Sequence, residues 1–342
     1  MLRNKEIAQI LNISPAAVSL ALNNKHGVSE ETRRRVFALR NSSVAADFTK
    51  QQFQNIHSGL ILFVVFKKHG KVISDTPFFM SLSESLHQQT SIKGFGLQVS
   101  YFQPGTDLQS YLLSLEAGRY EGILLLGTEA DAEDIRAFLS LGKPLVVIDG
   151  WFPSEDVNCV LMDNEHGILQ AVCHAYEMGH RRIGYLNSSV CVNNFKERFR
   201  AYRAALARLD LPYEEKYVFS LYSQFDGASE DMRAILNTHP SLPSVFVCAN
   251  DLVALGAMDA ATRFGLRVPD DLSFIGFDDM PTASHMKPAL TSIRIYYRKI
   301  AATATALLAD KISEHRAEES VRCLVHVDLI RRESVLAISP KS

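Results

Sequence analysis

Cysteine is scarce in this chain and odd in number: Cys159, Cys173, Cys191, Cys248 and Cys323 among 342 residues, with no C-x-x-C pair. That spacing excludes a disulfide framework and offers neither a zinc site nor a dithiol redox centre, so reduced, mostly buried thiols are expected. Long apolar runs are missing as well. The longest, LILFVVF at 60–66, falls far short of the ~20 residues that cross a bilayer, and the opening MLRNKEIAQ has no apolar stretch like that of a secretory signal. Both absences point to a cytoplasmic protein. Catalytic signatures are also lacking: there is no G-x-x-x-x-G-K-[ST], no H-E-x-x-H and no G-x-S-x-G, and the lone Gly94-Phe95-Gly96 precedes a strand rather than joining a strand to a helix. The eleven His are scattered without a metal-ligand spacing. The chain therefore reads as a protein that is no enzyme and uses no cofactor or metal.

What is present begins at 4–24, NKEIAQILNISPAAVSLALNN, which reads as two short helices joined by a tight turn. Ile7, Ala8, Ile10 and Leu11, then Val18, Ala21 and Leu22, recur at helical spacing and give each segment one face to bury. Ser14 suits an N-cap and Pro15 the first helical position, where its missing N–H costs nothing. With Val18, Ala21 and Leu22 inward, Ala16, Ser19, Leu20 and Asn23 turn outward. Ser29-Glu30-Glu31-Thr32 opens a third helix with a capping Ser and acids in the first turn. Residues 1–42 hold seven Lys/Arg, Lys5 among them, against three acids, a balance of +4 that leaves −6 on the remainder of a chain with net charge −2. A basic head on an acidic body suits counterion release from DNA phosphates.

Residues 43–58 are polar and carry no sustained helical stripe, as a linker would. From Gly59 the pattern alternates short β-branched or aromatic strands with amphipathic helices, restarts beyond Asp163, and so predicts two lobes built on parallel sheets. In such sheets ligands lie beyond the carboxyl ends of the strands. The polar or aromatic positions there are Phe78-Phe79, Asp149, Asp163-Asn164, the stretch from Asn187 to Arg198, Asn250-Asp251 and Asp278-Asp279; singly each suits a cap, a turn or the core as well as a ligand, and their convergence on strand ends is what singles them out.

These blocks resemble the lactose-repressor/galactose-repressor (LacI/GalR) family of bacterial transcription regulators over nearly the whole chain. The head resembles it in V-S-x-x-L-N at 18–23 and V-S-E-E-T-R-x-R-V at 28–36; the body does so in TPFF at 76–79, VVIDG at 146–150, MGHRRIGYL at 178–186, VCANDLVALGAM at 247–258 and GLRVPDDLSFIGFDD at 265–279. The resemblance implies an all-α helix-turn-helix head at 1–42, a linker at 43–58, and an α/β two-lobed, periplasmic-binding-protein-like (type I) body at 59–342. It implies three crossings between the lobes, expected near Asp163, Pro288 and Val321. Lobe 1 would then hold about 59–162 and 288–321, and lobe 2 about 163–287 and 322–342. It further implies a homodimer on double-stranded operator DNA, with no membrane.

Carried over by position, the family's DNA contacts fall on Lys5, Ser14, Pro15, Ala16, Ser19, Leu20 and Asn23. Pro15, Ala16 and Leu20 offer no bidentate hydrogen bonds, so base reading would lean on thymine methyls. Where relatives carry a Y-x-P-N-x-x-A-R-x-L hinge helix whose Leu wedges into the minor groove, this chain has Ser43-Val44-Ala45-Ala46-Asp47-Phe48-Thr49-Lys50, without the Pro or the Ala-Arg pair. A flexible tether is expected instead. The effector positions fall on Phe78 and Phe79, stacking on a ring, and on Asp149, Asn194, Arg198, Asn250 and Asp278. An Arg beside a carboxylate suits vicinal hydroxyls, so a saccharide is the expected effector. Val192 stands where nucleobase-binding relatives carry Arg. The expected function is a repressor of carbohydrate genes; the alternative is a solute-binding sensor that shares the body without the DNA-binding role.

Overall fold

The computed structural model describes residues 8, 14–22, 27–29, 32, 33, 36, 59–72, 77–238, 241–314 and 319–338. Lys5, Asn23, the expected linker and most of the expected first and third helices lie outside these residues. The chain divides into two units, 1–58 and 59–342.

In the first unit, helix α1 (Pro15–Leu22) starts where the sequence places a cap: the Ala17 amide donates to Ser14 Oγ at 3.1 Å. Val18 and Ala21 are fully buried together with Ala8 and Val36, with Leu22 and Val28 packed alongside. Ala16 is exposed, and Ser19 and Leu20 are half-buried. Ser29 Oγ accepts the Thr32 amide at 3.1 Å, the bond expected of an N-cap.

The second unit holds two six-stranded sheets. The first comprises β1 (Gly59–Phe66), β2 (Phe95–Phe102), β3 (Gly122–Leu126), β4 (Leu145–Ile148), β5 (Asn158–Met162) and the late strand β11 (Arg322–Val325), in the order β11-β5-β4-β3-β1-β2. All its pairings are parallel. Its central strands are buried along their length because helices cover both faces, and this is why they read as unbroken Leu/Ile/Val/Phe runs. Helices α2 (Pro77–Ile92), α3 (Leu108–Glu116) and α4 (Ala132–Leu139) supply the crossovers.

The second sheet comprises β6 (Ile183–Ser188), β7 (Val218–Leu221), β8 (Val245–Cys248), β9 (Ser273–Asp278), β10 (Thr291–Arg294) and β12 (Asp328–Ile330), in the order β12-β10-β9-β8-β6-β7. Only β12 runs antiparallel to its neighbour. Helices α5 (Asn164–Glu177), α6 (Asn193–Arg208), α7 (Phe225–Thr238), α8 (Asp251–Arg263) and the short α9 (Pro281–His285) belong to this lobe, and α10 (Tyr297–Glu314) returns to the first. Gly167 on α5 needs its missing side chain, since a Cβ there would lie 2.7 Å from the Phe277 ring. Among the described residues no helix is long and apolar enough to cross a membrane.

The chain passes between lobes at Asp163, after Arg294, and between Val325 and Asp328. Two of these differ from the sequence expectation. Pro288 marks a turn, but β10 beyond it stays in the second sheet, with Thr291 in register opposite Ile275; the chain therefore crosses beyond Arg294. Similarly, β11 rejoins the first sheet opposite Cys159–Met162, which moves the last crossing past Val321. The three crossings lie together: Asp163 donates its amide to Val325 O at 2.9 Å, Tyr296 Oη donates to Asp328, and the His166 and His326 rings lie 5.0 Å apart.

Candidate functional site

A cleft of about 640 Å3, counted to its open mouth, lies between the two lobes at the carboxyl ends of the strands. The first lobe lines it with Val72, Thr128, Asp149 and Met162. The second contributes Val192, Asn194, Phe195, Arg198, Ser223, Asn250, Leu252, Asp278 and Met280. This follows from the topology: each polar residue stands where a strand ends or where the next helix begins.

Arg198 forms the centre. It sits on the second turn of α6, is 3 % exposed, and is held on all sides. Nε donates to Asn164 Oδ1 at 2.8 Å and Nη1 to Ala249 O at 2.6 Å, while Nη2 lies 3.6 Å from Asp278 Oδ1. The guanidinium also stacks 3.6 Å from the centre of the Phe277 ring. One turn earlier on α6, Asn194 Nδ2 reaches across the cleft to Asp149 Oδ1 at 2.7 Å and its carbonyl at 3.2 Å. Asn194 Oδ1 accepts from Asn164 at 3.1 Å, and Thr128 Oγ1 donates to the second oxygen of Asp149. A chain of hydrogen bonds thus runs from the first lobe through Asp149, Asn194 and Asn164 to Arg198, and the ion pair with Asp278 extends it. Further out, Asn193 donates to Trp151 O at 3.1 Å and Gln224 to Lys71 O at 3.4 Å, both between lobes.

Asp149, Asp278 and the adjacent Asp279 occupy backbone that L-residues rarely adopt, with φ of +61°, +114° and +48°. Neighbouring groups hold that turn in place. Tyr297 Oη donates to Asp278 O at 3.1 Å, Ser292 Oγ accepts the Asp279 amide at 3.1 Å, and the Asp279 carboxylate binds Arg294 and Arg332, each at 2.6 Å. Burial pushes the carboxyl of Asp149 up to about 6 and that of Asp278 up to about 7, with Arg198 drawing both back down. Asp251 is fully buried behind them and also raised by burial; it accepts the Met280 amide and the Ser292 hydroxyl. Asn250 caps α8, its Oδ1 accepting the Val253 amide at 2.9 Å.

Comparison with known proteins places this geometry. Residues 172–335 match the periplasmic binding protein-like domain family. The HTH-type transcriptional repressor PurR of Yersinia pestis bv. Antiqua is 30 % identical over 346 residues, covering 97 % of this chain and 96 % of that protein. The chain belongs to the LacI/GalR family of transcriptional regulators. Two solved structures of LacI/GalR type align with almost the whole chain. The transcriptional regulator CelR in complex with cellobiose has a TM-score of 0.73 at 25 % identity, covering 98 % of this chain and all of that one. The lac repressor dimer bound to operator and the anti-inducer ONPF has a TM-score of 0.70 at 22 % identity, covering 98 % and 99 %.

In this LacI/GalR body the fold brings Asp149, Asn194, Arg198, Asn250 and Asp278 together at one cleft. Phe79 is a correction. Its ring lies 6.4 Å from that of Phe63 and 6.3 Å from that of Tyr101, inside the first lobe, and it does not line the cleft. An aromatic near a strand end is satisfied by either location, and the apolar core beside β1 and β2 claims this one. The Phe78 side chain lies outside the described residues. Among the described residues the ring lining the cleft is that of Phe195, with Met162, Val192, Leu252 and Met280 beside it. Sequence reasoning also missed Thr128, Ser223 and Tyr297 and left Asn164 without a role. Thr128 stands two residues beyond β3, so the strand-end rule reaches it; Tyr297 lies far along the chain on α10, with no local signal.

Proposed function

We propose that the protein is an operator-binding transcriptional repressor whose DNA affinity is set by a saccharide bound between its lobes. The head, 1–42, would bind the operator through Lys5, Ser14, Pro15, Ala16, Ser19, Leu20 and Asn23; residues 43–58 would tether it; and 59–342 would bind the effector and pair into a homodimer. The observation that carries this reading is the Asp149–Asn194–Arg198–Asp278 chain of polar groups, which spans both lobes at one cleft. Carboxylates and amides offered in pairs suit vicinal hydroxyls, and Phe195 with its aliphatic neighbours suits the apolar side of a sugar ring. The structure of CelR holding cellobiose supports a sugar in such a body.

Because Asn194 on one lobe bonds Asp149 on the other, an occupant that engages both changes the free energy of closure. Closure shifts the head pair in a dimer, which couples effector to operator. On the DNA side, half-site positions touched by Pro15, Ala16 and Leu20 should be A·T-rich, and replacing thymine by uracil there should weaken binding. Thermal unfolding across a sugar panel tests the effector. A bound sugar at 100 times its Kd adds about 2.7 kcal/mol of stability, and gel shifts with promoter fragments should show affinity that falls with salt. Failure to bind any promoter fragment in a salt-sensitive way overturns the reading.

A further inference from the structure

We infer that the cleft selects an uncharged, hydroxyl-bearing effector and rejects its phosphorylated or carboxylated forms. This rests on the saccharide reading above and narrows it by charge. Among the described lining residues Arg198 is the one cation, facing the carboxylates Asp149 and Asp278. That cation has little to offer an anion. Two of its nitrogens are bound to Asn164 and Ala249 O, its face is covered by Phe277, and its remaining edge lies beside Asp278. An entering phosphate would have to displace Asp278 from Nη2 and then sit against two carboxylates in a poorly solvated space.

The groups behind the cleft wall are further acids: Asp251, whose carboxyl burial pushes up toward its neutral form, and Glu129, which lies 3.2 Å from His69 Nδ1. Asp251 lies buried behind Asp278 and accepts the Met280 amide and the Ser292 hydroxyl. Glu129 is buried and accepts three backbone amides, those of His69, Gly70 and Val72, and so anchors the loop that brings Val72 to the cleft wall. On the same loop Lys68 is bound by Asp131 and Asp134. Asp279 is balanced by Arg294 and Arg332, so neither arginine is left for a ligand. The competing feature is the amino end of α6, which opens on the same cavity at Val192 and has no side-chain cap. A phosphate seated there would make a sugar phosphate bind better than its parent.

Calorimetry on the full chain decides between these. The neutral probes are ribose, glucose, galactose, fructose and cellobiose; the charged ones are ribose 5-phosphate, glucose 6-phosphate, galactose 6-phosphate, fructose 1-phosphate and glucuronate. A parent sugar that binds at least tenfold more tightly than its charged derivative is the expected result. A derivative that binds as tightly as its parent, or more tightly, overturns the charge inference and leaves the saccharide reading standing. Hypoxanthine bound in place of every sugar overturns the saccharide reading, and the charge inference then stands or falls on hypoxanthine against its nucleoside monophosphate.

The double substitution Asp149→Asn with Asp278→Asn gives a second test that does not depend on naming the sugar. With Arg198 no longer opposed, inorganic phosphate should raise the melting temperature of the variant and not that of the parent protein. Protection of both or of neither overturns the inference. Circular dichroism establishes that the variant is folded, and Asp278→Asn alone serves if the double variant is not.

Discussion

Both sheets of the body run second strand, first, third, fourth, fifth and then a late strand at the far edge when each is numbered within its own lobe. At the cleft between them, however, they present different chemistry. The first lobe brings one carboxylate, Asp149, backed by Thr128, and otherwise an apolar wall of Val72 and Met162. The second brings an arginine, a carboxylate, two amides and a serine. The cause lies in where the helices begin. In the second lobe α6 and α8 start at the cleft, and Asn194, Arg198 and Asn250 sit on their opening turns or cap. In the first lobe the Phe79 end of α2 turns its aromatic ring into the core. The comparison teaches that most of the polar groups facing the cleft come from the second lobe, while Asp149 of the first is reached across the gap by Asn194; under the proposed function the second lobe would discriminate between ligands and Asp149 would register closure.

Removing the second lobe's central group should do most damage. Arg198→Ala leaves Asp278 and Asn164 without their buried cation, which costs about 3–5 kcal/mol of stability, and should abolish effector binding in calorimetry while gel shifts still detect effector-free operator binding. Arg198→Lys keeps the charge without the fork and should also bind at least tenfold more weakly. Unaltered sugar affinity in both would dissolve the asymmetry between lobes.

The next effect tests the first lobe through pH. Asp149 and Asp278 titrate near 6 and near 7, above the 3.8 of an ordinary Asp. They therefore hold more protons folded than unfolded, and their contribution to stability is full below about pH 4 and lost as pH rises to about 7. Asp149→Asn removes its share, so melting curves should show the variant gaining on the parent protein by about 3 kcal/mol between pH 4 and 7.5. A constant difference across that range would show that burial does not control this carboxyl.

Asn194→Ala breaks the direct bond between lobes and should weaken effector binding by about 1–3 kcal/mol, read as a rise in Kd of about 5- to 150-fold. If Asp149 registers closure, the coupling between effector and operator should fall further than the effector affinity does. The smallest effect is a control on the correction: Phe79→Leu should cost about 1 kcal/mol of stability and leave effector affinity unchanged, because the ring packs on Phe63 and Tyr101. A lost sugar affinity would return Phe79 to the cleft.

Much of this architecture was legible from residues alone. The alternation of β-branched runs with amphipathic segments, the cap at Ser14-Pro15 and the polar residues at strand ends are local patterns, set by backbone geometry and by which faces must be buried. These patterns also pointed to Asp149, Asn250, Asp278 and the stretch from Asn187 to Arg198, within which the family resemblance picked out Asn194 and Arg198. Local pattern could not say which apolar surface an inward-facing Phe79 would meet, since burial in a core and burial at a cleft leave the same periodic trace. Nor could it place the crossings: a Pro at 288 marks a turn whether or not the chain changes lobe, and only the pairing of Thr291 with Ile275 keeps β10 in the second sheet. The left-handed backbone at Asp149 and Asp278, the reach of Asn194 across the gap and the support from Tyr297 depend on segments distant in sequence meeting in space. Tertiary packing alone decided these features, because their energies come from contacts that no single stretch of chain can make.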